Sequence, residues 1–426
     1  MIDIKLLRSE PETVKEAIRK KIAGGLDEVI DEILDLDAKR RQMSAYVESM
    51  KAEQNAASKQ IPQIKKAGGD ASELMAKMKD LSATIKAEDA ALGELEDKQK
   101  TLLLSLPNMP DPDVLAGGKE NNATVHIWGT KPEFDFEPLN HVDLCEKHGL
   151  IDYERGAKLG GNGAWIYRGL GARLEWALLN FFISEHIADG YEFLLPPHML
   201  NQACGTVAGQ FPKFADEVYW IKNPTGEDKF ILPTAETALV NLHRDEVIPV
   251  DELPKKYIAY TPCYRREAGS YRSEERGMIR GHQFNKVEMV QYTTAEGSDA
   301  AFEELVGKAE KLVQKLGLHY QLSKLAAGDC SYSMARTYDI EIWIPSMGIY
   351  KEVSSASNAR DYQARRGNIK YRGEDGKLTF AHTLNASGLA TSRVMPALVE
   401  QMQQPDGSIK IPEVLRPFMG GLEYIK

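Results

Sequence analysis

The stretch TPCYRREAGSYRSEERGMIRGHQFNKVEMVQY, residues 261–292, decides the fold and the chemistry of this chain. Arg265 and Glu267 are two residues apart, so on a strand both side chains point to one face. After a polar loop from Ser270 to Arg276, Phe284 and Glu288 share a face of a second strand. An aromatic ring, arginines and carboxylates together are suited to bind an adenine base, phosphates and an ammonium group.

Further strands and helices are expected on either side of this stretch. Alternating or continuous apolar runs predict strands, and apolar residues at helical spacing predict helices. The predicted strands are Tyr257–Tyr260, Phe284–Tyr292, Ile340–Ile344 and Ile349–Ser354, and the predicted helices are Gly171–Ala188 and Ala300–Leu316. Because strands and helices do not alternate regularly, we expect an α+β body with an antiparallel sheet.

The chain lacks the two common glycine-rich nucleotide motifs. It contains no GxxxxGK[ST] phosphate loop, and the run from Gly169 to Leu174 departs from GxGxxG at its last position. A bound nucleotide would therefore be held by side chains.

The N-terminal quarter carries two heptad patterns, from Leu26 to Ile61 and from Leu74 to Leu106, separated by Ala67–Asp70. They predict an antiparallel hairpin over about 26–106, with helices roughly 50–60 Å long. The pattern alone favours a dimerisation coiled coil, since heptads do not specify a partner. Three prolines between Pro107 and Pro112 end the hairpin and predict a domain boundary.

Composition limits the possible functions. A net charge of −10 argues against nonspecific coating of nucleic acid. Lysines at the end of the first hairpin helix are a local RNA-binding candidate or a solvated helix face: Lys51, Lys59, Lys65 and Lys66. Four scattered cysteines indicate neither disulfides nor a structural zinc site. The charged first residues and the absence of a run of ~20 apolar residues predict a cytoplasmic protein without a membrane partner.

The 261–292 stretch resembles motif 2 of class II aminoacyl-tRNA synthetases, and the whole chain resembles the bacterial-type seryl-tRNA synthetases. Leu232–Glu236 resembles the serine-binding loop of that family, Lys351–Asn358 its ATP and metal segment, and Pro412–Phe418 its closing signature. Residues 171–197 resemble motif 1 and 382–402 motif 3. The resemblance implies a tRNA-binding domain over 1–108 and a class II catalytic domain, an antiparallel sheet flanked by helices, over 109–426.

The resemblance also implies roles for individual residues. ATP is expected to contact Arg265, Arg266, Glu267, Arg280, Phe284, Glu352, Val353, Ser354, Ser355 and Arg393. Serine is expected to contact Thr234, Ala235, Glu236, Arg265, Glu288, Asn385 and Ser387. Catalysis is expected of Arg265, Glu352 and Arg393, with Mg²⁺ held by Glu352 and Ser355. Glu288 and Ser387 are the candidates for discriminating serine from alanine.

By the same resemblance, the partners are ATP, L-serine, tRNA(Ser) and, where the host has one, tRNA(Sec), with no DNA partner. The hairpin is then expected to grip the long variable arm of the tRNA bound to the other subunit of a homodimer, reading RNA shape and backbone.

Several positions depart from the family pattern. Val207 and Ala208 are extra residues beside the serine-side loop, motif 3 carries Ala386, Ser392 and Pro396, and the run from Gly160 to Trp165 is unusual. Sequence drift accounts for these changes, and so does a divergent second copy that resists a seryl-adenylate-like inhibitor. A non-catalytic RNA-binding paralogue is the other alternative, although every expected catalytic group is present. A relative that loads a carrier protein would lack the hairpin.

Overall fold

The computed structural model describes residues 1–267 and 277–426, so the predicted loop from Ser270 to Arg276 lies outside the described residues. The chain forms two compact units. One consists of Ile2–Glu16 and Gly24–Leu106, and the other of Met1, Ala17–Ala23 and Pro107–Lys426. None of the helices in the described ranges combines the length and the apolar character needed to cross a membrane.

The first unit contains the predicted hairpin. The helices at the start of the chain are α1 Ile4–Ser9, α2 Pro11–Lys21, α3 Asp27–Lys66 and α4 Ser72–Ser105. At 1.5 Å per residue, α3 and α4 are about 60 and about 50 Å long. Val47, Met50 and Ile85 are buried between them. Across the helices, Lys51 pairs with Asp89 at 2.8 Å. The heptad interpretation is therefore confirmed.

The second unit is built around a large sheet. Its strands and the smaller ones beside it are β1 Ala123–Trp128, β2 Ile151–Asp152, β3 Ile166–Tyr167, β4 Glu192–Leu194, β5 Met199–Asn201, β6 Tyr219–Ile221, β7 Lys229–Ile231, β8 Val247–Ile248, β9 Lys255–Tyr264, β10 Gln283–Thr293, β11 Tyr320–Lys324, β12 Arg336–Ile344, β13 Ile349–Asn358, β14 Lys370–Arg372, β15 Leu378–Phe380, β16 His382–Ala390, β17 Ile409–Lys410 and β18 Tyr424–Ile425. Its helices are α5 His141–Lys147, α6 Tyr153–Gly160, α7 Leu170–Ala188, α8 Gln202–Ala208, α9 Glu236–Leu239, α10 Ser298–Leu316, α11 Tyr362–Gly367 and α12 Thr391–Gln401.

Within the part of the chain that the structure describes, eight strands form the main sheet, in the order β1-β11-β12-β13-β16-β10-β9-β4. All neighbours are antiparallel except β4 and β9. Helices α7, α10 and α12 share the largest buried apolar cluster with this sheet. The predicted antiparallel α+β body is confirmed, and each predicted strand and helix lies within an observed one.

Strand β16 carries a bulge where it pairs with Lys286 and Glu288 of β10. Glu288 on β10 pairs with Ser387, whereas Lys286 pairs with Ala390, so β16 has one residue more than β10 in this interval. Leu389 takes up the distortion with φ of 113°. A Cβ on Gly388 would lie 2.5 Å from His186 Nε2, so the strand approaches α7 too closely for a larger residue. Bulges of this kind re-aim neighbouring side chains.

Pro396 lies in the interior of α12. It is the sixth residue of α12, in the second turn rather than the first, where proline would be tolerated. The amide that would bond the carbonyl of Ser392 is therefore missing. Its side chain is buried in the core.

Candidate active site

Two adjoining cavities lie over the centre of the main sheet. The larger has a volume of about 550 Å³ and the smaller about 50 Å³. Both are lined by Arg265, Glu267, Lys286, Glu352 and Ser387. The sheet therefore presents charged groups from several strands to one continuous space.

Most residues predicted for the site line these cavities. The larger adds Thr234, Glu236, Glu288, Ser355 and Asn385. The smaller adds Arg280, Phe284, Val353 and Arg393. The residues that the sequence assigned to one site therefore do lie together in the structure, although some are more than 150 positions apart along the chain.

Three predicted residues do not line either cavity. Arg266 donates to the carbonyl of Asp216 at 2.8 Å instead. Ala235 is buried just before α9, where it packs in the apolar core. Ser354 is also buried and donates to the carbonyl of Ser387 at 2.6 Å. Its contact supports the bulged strand rather than reaching the cavity.

The residues predicted to contact serine are organised by a lysine that the sequence did not indicate. Lys286 lies between Phe284 and Glu288 on the same face of β10, and its ammonium pairs with the Glu288 carboxylate. It also donates to the Thr234 hydroxyl at 2.8 Å. Both members of the pair are at most 5% exposed. The period-two spacing from Phe284 was the available signal, because it assigns Lys286 to the face that carries the site.

Glu236 is the second carboxylate in this part of the cavity. Burial, followed by repulsion from Glu288, raises its pKa to about 7. Gln363, another residue that the sequence did not indicate, donates to Glu236 Oε1 at 2.8 Å. A cation that binds beside such a carboxyl group lowers its pKa again and favours its ionised form.

The residues predicted to contact ATP combine arginines with an aromatic ring. The Arg265 guanidinium lies 5.2 Å from the centroid of the Phe284 ring. Arg280 pairs with Glu267 at 2.5 Å. Arg393 contacts Glu352 Oε2 at 3.3 Å and donates to the Glu352 carbonyl at 2.8 Å. The space between Phe284 and Arg393 suits a flat base, because both groups stack on aromatic faces.

One part of the motif 2 interpretation was wrong in its geometry. Strand β9 ends at Tyr264, so Arg265 and Glu267 do not lie on a strand. Glu267 adopts a left-handed conformation, with φ of 49°. The two side chains meet at the cavities through this turn rather than through strand alternation. By contrast, Phe284 and Glu288 do share a face of β10 as predicted.

Oxygen ligands for a cation lie on β13. Glu352 and Ser355 both line the larger cavity, and Ser355 donates to Asp339 Oδ1 at 2.6 Å. Burial, and then the charge of Glu352, raise the pKa of Asp339 well above its usual range. Burial alone would raise the pKa of Glu352, but Arg393 and Arg265 outweigh it and hold that pKa low. An ionised carboxylate beside a hydroxyl is a donor set that fits Mg²⁺.

These side chains do not form a complete cation cage. Among residues 1–267 and 277–426, no group of three or more His, Cys, Asp or Glu side chains is placed to hold a metal ion. Mg²⁺ commonly uses one or two carboxylates and takes its other ligands from water and substrate phosphates. Glu352 and Ser355 therefore fit a Mg²⁺ ion that binds together with a phosphorylated substrate.

Comparison with known proteins matches both units to one family. Residues 1–110 match the seryl-tRNA synthetase N-terminal domain, and residues 219–402 match the class II tRNA synthetase core domain (G, H, P, S and T). The chain is 63% identical to serine--tRNA ligase 2 of Clostridium acetobutylicum over 99% of both chains. The chain belongs to the seryl-tRNA synthetase family.

Other relatives of this family extend the similarity. Serine--tRNA ligase of Fervidobacterium nodosum is 45% identical over 99% of this chain and 98% of its own. Among solved structures, the seryl-tRNA synthetase from Pyrococcus horikoshii complexed with ATP superimposes with a TM-score of 0.92 and 33% identity, covering 100% and 99% of the two chains. The class II synthetase fold expected from the sequence is thus confirmed.

The lysines predicted to contact tRNA all lie on α3 of the hairpin unit. Lys51, Lys59, Lys65 and Lys66 are exposed, and the last two occupy the final turn of the helix. Lys51 is already paired with Asp89. The remaining three are expected to make the larger contribution if this helix contacts RNA phosphates.

The departures from the seryl-tRNA synthetase pattern fall into two groups. Ala208 lines the larger cavity and Ser392 the smaller one. Val207, Ala386 and Pro396 are buried in the core. Only the first pair belongs to the cavity walls, so substitutions there bear on ligands, whereas the others bear on packing.

Proposed function

We propose that this protein is an ATP-dependent serine--tRNA ligase. It activates L-serine with ATP to form seryl-adenylate and pyrophosphate, and then transfers serine to the 3′ end of tRNA(Ser). The observation that carries this proposal is the Lys286–Glu288–Thr234 cluster opening into the arginine-lined cavity. High identity to proteins named serine--tRNA ligase over the full length supports it and favours it over a non-catalytic or divergent paralogue.

Activation needs alignment more than proton transfer. The serine carboxylate is already ionised, so it attacks the α-phosphorus without a general base, and pyrophosphate leaves. Arg265 and Arg393 offset the negative charge that develops on the phosphoryl oxygens. Phe284 and Arg393 hold the adenine in this scheme. When bound by Glu352 and Ser355, Mg²⁺ supplies further neutralisation of the phosphates.

Serine selection follows from buried polar groups. In the proposal, Glu236 faces the substrate ammonium, while Glu288 and Ser387 bond its hydroxyl, with Thr234 and Asn385 completing the pocket. Alanine offers no hydroxyl to Glu288 and Ser387, and each buried group that loses a hydrogen bond in this way costs roughly 1–3 kcal/mol. Lys286 holds the Glu288 carboxylate in place through their ion pair. The pocket therefore disfavours alanine, because alanine cannot make the hydrogen bonds that the serine hydroxyl makes.

The proposal includes a homodimer in the cytoplasm and a hairpin that holds the variable arm of tRNA(Ser) and of tRNA(Sec). Exposed apolar side chains on α7 and after β4 support the dimer, since Trp176 is 52% and Leu195 73% exposed. Large apolar side chains left exposed in this way are available for a second chain to cover.

Charging of transcribed tRNA(Ser) with labelled serine tests the proposal. We expect ATP-dependent, acid-precipitable seryl-tRNA, and no product with a tRNA lacking a long variable arm. Failure to charge tRNA(Ser) at saturating serine and ATP would contradict it.

A further inference from the structure

Two aromatic rings and a lysine lie together at the rim of the larger cavity. Phe214 and Tyr332 both line this cavity, and their rings meet edge to face at 6.4 Å. The Lys213 ammonium lies 4.0 Å from the Tyr332 ring centroid and 5.6 Å from that of Phe214. Lys119 lines the same cavity. Phe214 is 36% exposed, so part of the residue is open to a ligand.

This rim is distinct from the site assigned to the ATP base. The smaller cavity holds Phe284 and Arg393 but includes neither Phe214 nor Tyr332. The rim is instead joined to the serine side, because Met334, two residues after Tyr332, has its sulfur 3.8 Å from Asn385 Nδ2. An aromatic surface therefore begins one short loop away from the serine groups.

Hydrogen bonds to its backbone carbonyls hold the loop that carries Tyr332 in place. Lys21, which is buried, donates to the carbonyls of Ser331 at 2.8 Å and Met334 at 2.6 Å. The amide of Asn108 donates to the Tyr332 carbonyl at 2.9 Å. A surface held in this way is organised before a ligand arrives, which lowers the entropy cost of binding.

We propose that Lys213, Phe214 and Tyr332 bind the single-stranded 3′ end of the acceptor tRNA. The base of the terminal adenosine stacks on Phe214, and Lys213 contacts an adjacent phosphate. Tyr332 positions both, by its edge contact to Phe214 and its cation–π contact to Lys213. Aromatic rings interleaved with cations are the usual means of holding single-stranded nucleic acid. This inference rests on the proposed function, because a ligase must bring the terminal ribose hydroxyl to the activated serine carbonyl.

The direction of approach agrees with the chemistry. Transfer joins the ribose hydroxyl oxygen to the seryl carbonyl carbon and breaks the bond from that carbon to the phosphate oxygen. The phosphate oxygen keeps the electron pair of the broken bond, the hydroxyl proton passes to that phosphate or to water, and AMP leaves. With adenylate filling the space near Phe284 and Arg393, the acceptor must enter from another side. The rim beside Asn385 provides that side.

Phe214→Ala and Lys213→Ala test the proposal, with Lys131→Ala as the matched control. Lys131 makes a comparable cation–π contact, 3.7 Å from the Trp343 centroid, outside both cavities. Single-turnover transfer from preformed seryl-adenylate to subsaturating tRNA is expected to fall about tenfold in Phe214→Ala, the effect of losing one stacked base. Serine-dependent ATP–pyrophosphate exchange should change less than about twofold, and the control should match the wild type in both assays.

A binding measurement separates this inference from the proposed function. The wild type should bind full-length tRNA about tenfold more tightly than tRNA lacking its terminal adenosine, and Phe214→Ala should bind both equally. Unchanged transfer in the variants, or a rise in KM for ATP without a transfer defect, would overturn the assignment of the rim. Because the truncation comparison needs no catalysis, it tests the rim even if serine-dependent exchange is absent, a result that would contradict only the ligase proposal.

Discussion

Lys286 and Glu288 form a buried ion pair on one face of β10, at 5% and 2% exposure. The same ammonium donates to the hydroxyl of Thr234, which lines the same cavity. A single lysine therefore links β10 to the segment before α9 and holds a carboxylate in place where a serine hydroxyl would bind. Removing one partner of a buried pair is costly, because the other charge remains without compensation.

The first prediction concerns this pair. Lys286→Met should destabilise the protein by about 3–5 kcal/mol, since Glu288 is left buried and unpaired. Urea unfolding followed by circular dichroism measures the change. The double variant Lys286→Met/Glu288→Leu should recover most of the stability but not serine-dependent activity. A single variant as stable as the wild type would show that the pair is not maintained in solution.

The second prediction concerns Glu175 on α7. Burial raises its pKa to about 7, although Thr391 and Asn285 donate to it at 2.6 and 2.8 Å. The native state thus binds this proton more tightly than the unfolded chain does. Its stabilising effect is complete below the ordinary pKa of glutamate and is lost as pH rises through about 7.

Urea unfolding across this pH range gives the test. The contribution of Glu175 should fall by about 3 kcal/mol between pH 4.5 and pH 7. Glu175→Gln, which stays neutral, should remove that part of the pH dependence. If the wild type and Glu175→Gln show the same slope, the carboxyl is not protonated in the native state.

The third prediction concerns Arg393. Arg393→Ala should lower kcat for ATP–pyrophosphate exchange by about 10²–10³-fold, because it removes a donor aimed at developing phosphoryl charge. Arg416→Ala is the matched control, since Arg416 forms a comparable ion pair with Glu423 at 3.1 Å away from the site. Steady-state exchange kinetics measure both variants. A loss confined to KM for ATP would assign Arg393 to ground-state binding alone.

The fourth prediction concerns the hairpin lysines. The triple variant Lys59→Ala/Lys65→Ala/Lys66→Ala should weaken tRNA(Ser) binding and reduce the slope of log affinity against log salt by about two to three. Lys51→Ala should have a smaller effect, because Asp89 already neutralises that side chain. Filter binding at several salt concentrations measures the slopes. Equal slopes in the wild type and the triple variant would remove these lysines from the RNA contact.

The sequence predicted elements whose patterns are local and periodic. The heptads of α3 and α4 and the shared face of Phe284 and Glu288 follow from fixed repeats along the chain. The motif resemblance then identified which distant segments meet. The end of β9 at Tyr264 and the left-handed conformation of Glu267 could not be predicted in this way, because glutamate rarely adopts that conformation and no repeat marks the position.

The missed residues have a common physical cause. Lysine and glutamine are usually exposed, so neither Lys286 nor Gln363 was expected in a buried site. Both are buried because a carboxylate accepts their hydrogen bonds, which are Glu288 for Lys286 and Glu236 for Gln363. Such pairing depends on the packed sheet and is not marked in the sequence, although the period-two spacing from Phe284 does assign Lys286 to the face that carries the site.

Amino-acid-dependent ATP–pyrophosphate exchange, measured for the wild type across the standard amino acids without tRNA, tests the central claim most directly. The account predicts strong exchange with serine and at least about 10²-fold weaker exchange with alanine, because alanine leaves buried polar groups unpaired. Exchange that is absent with serine, or stronger with another amino acid, would contradict it.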